Sequence, residues 1–173
     1  MKRLLYPFLL LGLFSGCSPQ KLSPTDVAAE KEAIKSLAMD FFNAYQAKDL
    51  AAARKPFTSS GELLFFGTDS AEVVRTPGEW ETQMKNDWEL FQSVKFGEMR
   101  NVSTVVSSDG ELGSILCEIP ADITMGGQQS HFLFRFDGTV RKEHGDWRFI
   151  QGMIAIATVG QSSAELATKM KEQ

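Results

Sequence analysis

Residues 130–157 read SHFLFRFDGTVRKEHGDWRFIQGMIAIA. Apolar side chains alternate through Phe132, Phe134 and Phe136, the chain stops at His144-Gly145, and a second extended run follows. A period of two is that of a half-buried strand, and a Gly-containing pair between two such runs is a hairpin turn. With a two-residue loop, Phe149, Met153 and Ala155 share a face with Phe132, Phe134 and Phe136. Moving upstream, a turn at Gly126-Gly127 adds Ile115, Cys117 and Ile119 to that face. A turn at Ser108-Asp109-Gly110 adds Val102, Thr104 and Val106. Four strands, at about 94–106, 111–121, 130–142 and 146–157, then agree on one apolar face, unless a bulge at Asp137-Gly138 breaks the parity. The other face carries His131, Arg135, Arg141 and Arg148 among Leu133, Ile150, Ile154 and Ile156. Those last four are a candidate homodimer face. The alternative is that a C-terminal helix covers them through Leu166 and Met170.

The first half of the chain has helical periodicity. Ser23-Pro24-Thr25-Asp26 is a helix start, and Ile34, Leu37, Ala38, Phe41, Phe42 and Tyr45 recur on one face after it. Asp49 can cap a short second helix, Leu50 to Lys55, which Pro56 ends. Glu62 to Gly67 is strand-like. Thr76-Pro77-Gly78-Glu79 opens a third helix whose face holds Trp80, Met84, Trp88 and Phe91. Helices followed by an antiparallel meander define an α+β fold.

The composition bounds the function. The chain has 173 residues, 43% hydrophobic and 23% charged, with 18 Lys+Arg against 22 Asp+Glu. This is a globular balance without a basic block, so no nucleic-acid partner is expected. Two cysteines and two histidines offer neither a disulfide framework nor a metal cage. No phosphate loop or nucleophile–base spacing occurs, and no cofactor is expected.

The front of the chain is an address. Lys2 and Arg3 precede an apolar run from Leu4 to Phe14, whose eleven residues reach roughly 16 Å as a helix, about half a bilayer core. The run ends at Leu13-Phe14-Ser15-Gly16-Cys17, which resembles the lipobox of bacterial lipoproteins, with Phe14 where Leu is usual. The resemblance implies a signal peptide at 1–16, lipidation of Cys17 and a tether over 17–25. The domain would follow at 26–160, with a tail at 161–173. Ser18, in place of Asp, points to the outer membrane facing the periplasm in a host that has one. The alternative is a plain signal peptide cut near Gly16.

Three stretches of the remaining chain carry a second resemblance. They are FFNAYQAKDLAAARKPF (Phe41 to Phe57), LFFGTDSAEVVRTPGEW (Leu64 to Trp80) and GDWRFIQGMIA (Gly145 to Ala155). In this order they resemble the SnoaL-like branch of the nuclear-transport-factor-2-like proteins, over about residues 27 to 157. The resemblance implies a cone of N-terminal helices packed on a strongly curved, mainly antiparallel sheet, with a pocket between the layers. Many relatives carry His and Ser at the positions matching Met153 and Ala155, and Gly where Lys48 stands. A polar catalytic pocket is not implied for this chain.

The candidate pocket residues are Tyr45, Trp80, Trp88, Glu98, Arg100, Gln151 and Met153. Arg100 and Glu98 reach the core face by parity and could bind the polar end of a ligand. No carboxylate or His is placed inward with the burial that general-base chemistry needs. Asp69 reads as a turn cap and Cys117 as an inert core thiol. The leading expectation is an envelope lipoprotein that binds a small apolar ligand or a protein partner without catalysis. The alternative is an isomerase, dehydratase or hydrolase using a pocket acid or base.

Overall fold

A computed structural model describes residues 21–171; the lipobox and Cys17 lie outside the described residues. Four helices and seven strands are α1 (Pro24–Gln46), α2 (Leu50–Arg54), β1 (Leu64–Phe66), β2 (Val73–Val74), α3 (Pro77–Leu90), β3 (Ser93–Phe96), β4 (Arg100–Val106), β5 (Leu112–Met125), β6 (Gln128–Glu143), β7 (Asp146–Ile156) and α4 (Ser163–Lys171). No described helix is long and apolar enough to cross a membrane.

The helix starts follow from their caps. The Ser23 hydroxyl accepts from the Asp26 N–H at 3.2 Å, and the Asp26 carboxylate accepts from the Ser23 N–H at 3.3 Å. That reciprocal box begins α1 at Pro24, two residues inside the segment expected to be tether. Asp49 caps α2 through the Ala52 N–H, and Thr76 caps α3 through the Glu79 N–H. Lys48 takes positive φ in the turn between α1 and α2, a conformation that glycine adopts more readily. Its ammonium donates to the Trp88 and Phe91 carbonyls at 2.8 and 2.6 Å, closing the end of α3.

The sheet runs β2-β1-β7-β6-β5-β3, with β4 also paired to β5, and all neighbours are antiparallel except β1 with β7. Both long hairpins have the expected two-residue turns, Gly126-Gly127 and His144-Gly145, each with positive φ at both positions. Ile115, Cys117 and Ile119 therefore face Gly138, Phe136 and Phe134 across the ladder, on the buried side.

Two irregularities reverse the parity beyond them. The expected strand 94–106 is two strands, β3 and β4, laid end to end along β5. Pro120, which has no N–H, sits opposite the gap, and its carbonyl accepts from Gly97 at 2.8 Å. A register shift lies between Arg100 and Ser103, with Asn101 at φ 51°. Val102 packs on the core, but Arg100 is turned outward beside Glu118. In β7, Phe149 pairs with Val140 and Gln151 with Thr139, so Ile150 is the extra residue of a bulge. From there on the faces exchange. Gly152, Ile154 and Ile156 follow the inner side, while Gln151 and Met153 are exposed on the outer side. Ile154 and Ile156 are thus not part of an outer dimer face. Of the four, Leu133 retains outward parity and Ile150 lies in the bulge. Met170 of α4 is 78% exposed, so it does not seat on the sheet.

The core is aromatic. Phe41 and Phe42 of α1 meet Phe136 of β6, and Phe57 and Phe65 pack on Trp80 of α3 with ring centroids 5.0 and 4.9 Å apart. At the hairpin end, Glu30 of α1 accepts from Trp147 Nε1 at 2.7 Å and pairs with Lys142. At the other side of the hairpin base, Glu143 accepts from buried Thr58 and from Arg141. These polar clamps fix the helical layer over the sheet, so its opposite end can remain less tightly filled.

Candidate functional site

Helices on a curved sheet cannot fill the cone completely, and a cavity of about 110 Å³ remains between them. Its apolar walls come from α1 through Phe41 and Phe42, from β1 through Phe65, and from the sheet through Ile123, Phe134 and Ile154. Its polar wall comes from Tyr45, Gln83, Asp87 and Glu72. Thr68 is the exposed residue of the lining, so the cavity meets solvent beside the loop after β1.

That loop is organised by one carboxylate. Glu72 accepts from the Thr68 and Asp69 N–H groups at 2.6 and 3.0 Å, and its carbonyl accepts from the Gly67 N–H. A Cβ on Gly67 would stand 2.2 Å from Glu72 Oε2, which accounts for glycine in this Gly-Thr-Asp turn. Asp69 does cap the turn, accepting from the Ala71 N–H at 2.9 Å.

From Glu72 a row of hydrogen bonds runs along the wall. Gln83 Nε2 donates to Glu72 at 3.3 Å and to Asp87 Oδ1 at 2.9 Å. The Tyr45 hydroxyl donates to Asp87 Oδ2 at 2.7 Å. Burial raises the Asp87 carboxyl above its ordinary value, and the charge of Glu72 adds to the rise. The hydrogen bonds from Tyr45 and Gln83 pull it back in part. The Tyr45 phenol is pushed strongly upward by burial, then by the charge of Asp87, and stays protonated. The indole N–H groups of Trp80 and Trp88 are buried without an acceptor among the described residues, and Trp80 lines the cavity.

Of the sequence candidates, Tyr45 and Trp80 line this cavity. Trp88 packs edge-on against Tyr45, behind the wall. Glu98 and Arg100 are exposed beyond the Asn101 shift, and Gln151 and Met153 are exposed beyond the Ile150 bulge. Asp87, Gln83 and Glu72 escaped the sequence reading. The helical stripe built on Trp80 and Met84 passes equally well through Gln83 and Asp87, at three and seven residues from Trp80. Cys117 is buried, and burial pushes its thiol up to about 11. No group of three or more potential metal ligands exists among the described residues.

A helical layer over a curved, mainly antiparallel sheet with an apolar cavity between them defines a cone-shaped α+β fold. The chain belongs to the SnoaL-like domain family, whose model matches residues 34–158. No curated protein matches the chain. Solved structures share the fold at low identity. A hexachlorocyclohexane dehydrochlorinase from Novosphingobium barchaimii is 12% identical, with TM-score 0.69 over 79% of this chain and 92% of its own. A ketosteroid isomerase-like protein from Erwinia carotovora atroseptica is 14% identical, with TM-score 0.63 over 75% and 97%. A nuclear-transport-factor-2-like protein of unknown function from Pseudomonas putida is 14% identical, with TM-score 0.63 over 74% and 87%.

Proposed function

We propose that this SnoaL-like domain is a small-molecule binding module of the bacterial envelope, held at a membrane by a lipid on Cys17. The cavity between α1, α3 and the sheet carries the reading, because it is enclosed mainly by aromatic and aliphatic groups and has one polar wall. Apolar cavities of about 150 Å³ hold a benzene ring, and this one, at about 110 Å³ and open beside Thr68, takes an apolar body no larger than one ring. Its polar group sits against Asp87 and Gln83. Saturable shifts of the Ile123 and Ile154 methyl resonances on titration with benzyl alcohol test this. Absence of any saturable shift with ring-sized probes overturns it.

A second reading rests on Asp87. A half-buried carboxylate with a raised pKa is the equipment of a general base, and two of the structural neighbours are named for an elimination and an isomerisation. In that reading Asp87 takes a proton from the bound molecule, as an isomerase, dehydratase or hydrolase requires. Asp87→Asn separates the two. Turnover lost with binding retained establishes the enzyme, and no turnover of any bound compound leaves the binding module.

A further inference from the structure

We propose that the ligand of this cavity is an organic ammonium ion with a compact apolar body. The inference rests on the binding reading above and names its ligand class. More than half of the lining residues are aromatic, and the ionisable ones are Tyr45, Glu72 and Asp87. No Lys, Arg or His is among them. Two basic groups of the helical layer are engaged elsewhere. Lys48 donates to the carbonyls at the end of α3, and Arg54 pairs with Glu81 at 2.7 Å.

The hydrogen-bond donors that Asp87 and Glu72 meet are therefore neutral. They are the Tyr45 phenol, the Gln83 amide, and the Thr68 and Asp69 backbone with the Thr68 hydroxyl. Gln83 spends its amide N–H groups on the two carboxylates, leaving the wall rich in acceptors. Such a wall repels a carboxylate or phosphate. A neutral alcohol gains one hydrogen bond there, whereas an ammonium also gains charge pairing. The aromatic rings of Phe41, Phe65 and Trp80 line the same cavity, and aromatic rings attract a cation electrostatically. Burial already disfavours the charged form of Asp87, and a guest cation relieves that cost.

Three probes of one size and different charge decide the matter: benzylammonium, benzyl alcohol and benzoate, titrated against the full-length chain at neutral pH by methyl NMR. Benzylammonium is expected to bind roughly tenfold more tightly than benzyl alcohol, with benzoate weakest. Asp87→Asn is expected to bring the cation and the alcohol within about twofold, the cation losing the larger share of its affinity. Should that variant fail to fold, Glu72→Gln provides a second reading, with the preference reduced. Lowering the pH through the Asp87 titration must also reduce the preference in the unaltered protein, Glu72 being the other carboxylate of the lining and the sheet side of the cavity (Val94, Ile123, Phe134, Ile154) having no titratable group. Equal affinity for alcohol and cation, or tighter benzoate, overturns the ammonium inference and leaves the binding reading standing. No binding of any probe overturns both.

Discussion

The Tyr45 hydroxyl, on the first helix, donates to the Asp87 carboxylate, on the third, at 2.7 Å. The two residues are 42 positions apart, so the bond ties α1 to α3 across the cavity wall. Tyr45→Phe keeps the ring packing against Phe41 and Trp88 and removes only the donor. A half-buried carboxylate left with one fewer partner costs about 1–3 kcal/mol. The same change removes an interaction that lowers the Asp87 pKa, so that carboxyl should titrate still higher. Urea denaturation and carbon-detected NMR titration of Asp87 read the two effects separately.

Asp87 also gives stability a pH dependence of unusual sign for an acid. Its folded-state pKa lies above the ordinary carboxylate value of 3.8, so the native state holds the proton more tightly than the unfolded chain. The associated stabilisation is complete below that ordinary value and is lost as pH rises through the folded-state value. Glu143 works in the opposite direction. Its carboxyl is held low by the Thr58 and Arg141 hydrogen bonds against the desolvation that burial imposes. The Asp87 contribution therefore appears in the difference between the native protein and Asp87→Asn. The gap in unfolding free energy should shift against the native protein as pH rises from 3 towards 7, and a pH-independent gap would contradict the raised pKa.

Why some of this was legible in the sequence and some was not is visible in single residues. Gly126-Gly127 and His144-Gly145 set their hairpins locally, because the chain there needs positive φ and the residues permit it. The inner face of β5 and β6 followed from those turns. The exchange of faces at Ile150 has no such local mark. A bulge is set by how β7 packs, with Phe149 held against Gly138, where a Cβ would lie 2.5 Å from its ring, and Gly152 under Phe65. One extra residue moved Ile154 from the expected outer patch into the cavity and Met153 out of it. Asp87 was hidden for another reason. It occupies the flank of an apolar helical stripe, where a carboxylate ordinarily meets solvent, and only the position of Tyr45 on another helix brings it inside.

The mouth of the cavity depends on Gly67. A methyl group there would overlap Glu72 Oε2 and Cβ, at 2.2 and 2.6 Å, and the side chain has to leave its seat on the Thr68 and Asp69 N–H groups. Gly67→Ala should therefore speed hydrogen exchange at those two amides. It should also weaken ring-sized ligands at Ile154 by several-fold, while the distant clamp of Glu30 on Trp147 keeps its protection. Unchanged exchange at Thr68 would show that Glu72 does not hold the loop.

The last prediction concerns the front of the chain. Leu22 is already part of the domain. Its N–H donates to the Ser108 carbonyl at 2.9 Å, and its side chain covers Gly110, where an added Cβ would lie 2.8 Å away. The β4–β5 turn thus fixes where the tether leaves. Five residue steps separate Leu22 from Cys17, a reach of at most about 18 Å. A lipid on Cys17 would hold that end of the cone close to the bilayer. A diacyl anchor supplies the two chains that stable attachment needs. Cys17→Ser should abolish labelling by a fatty-acid probe and release the domain from the membrane fraction, with its ligand affinity intact. Labelling that persists in this variant, or a membrane association indifferent to it, would rule out the anchor and leave the cavity argument untouched.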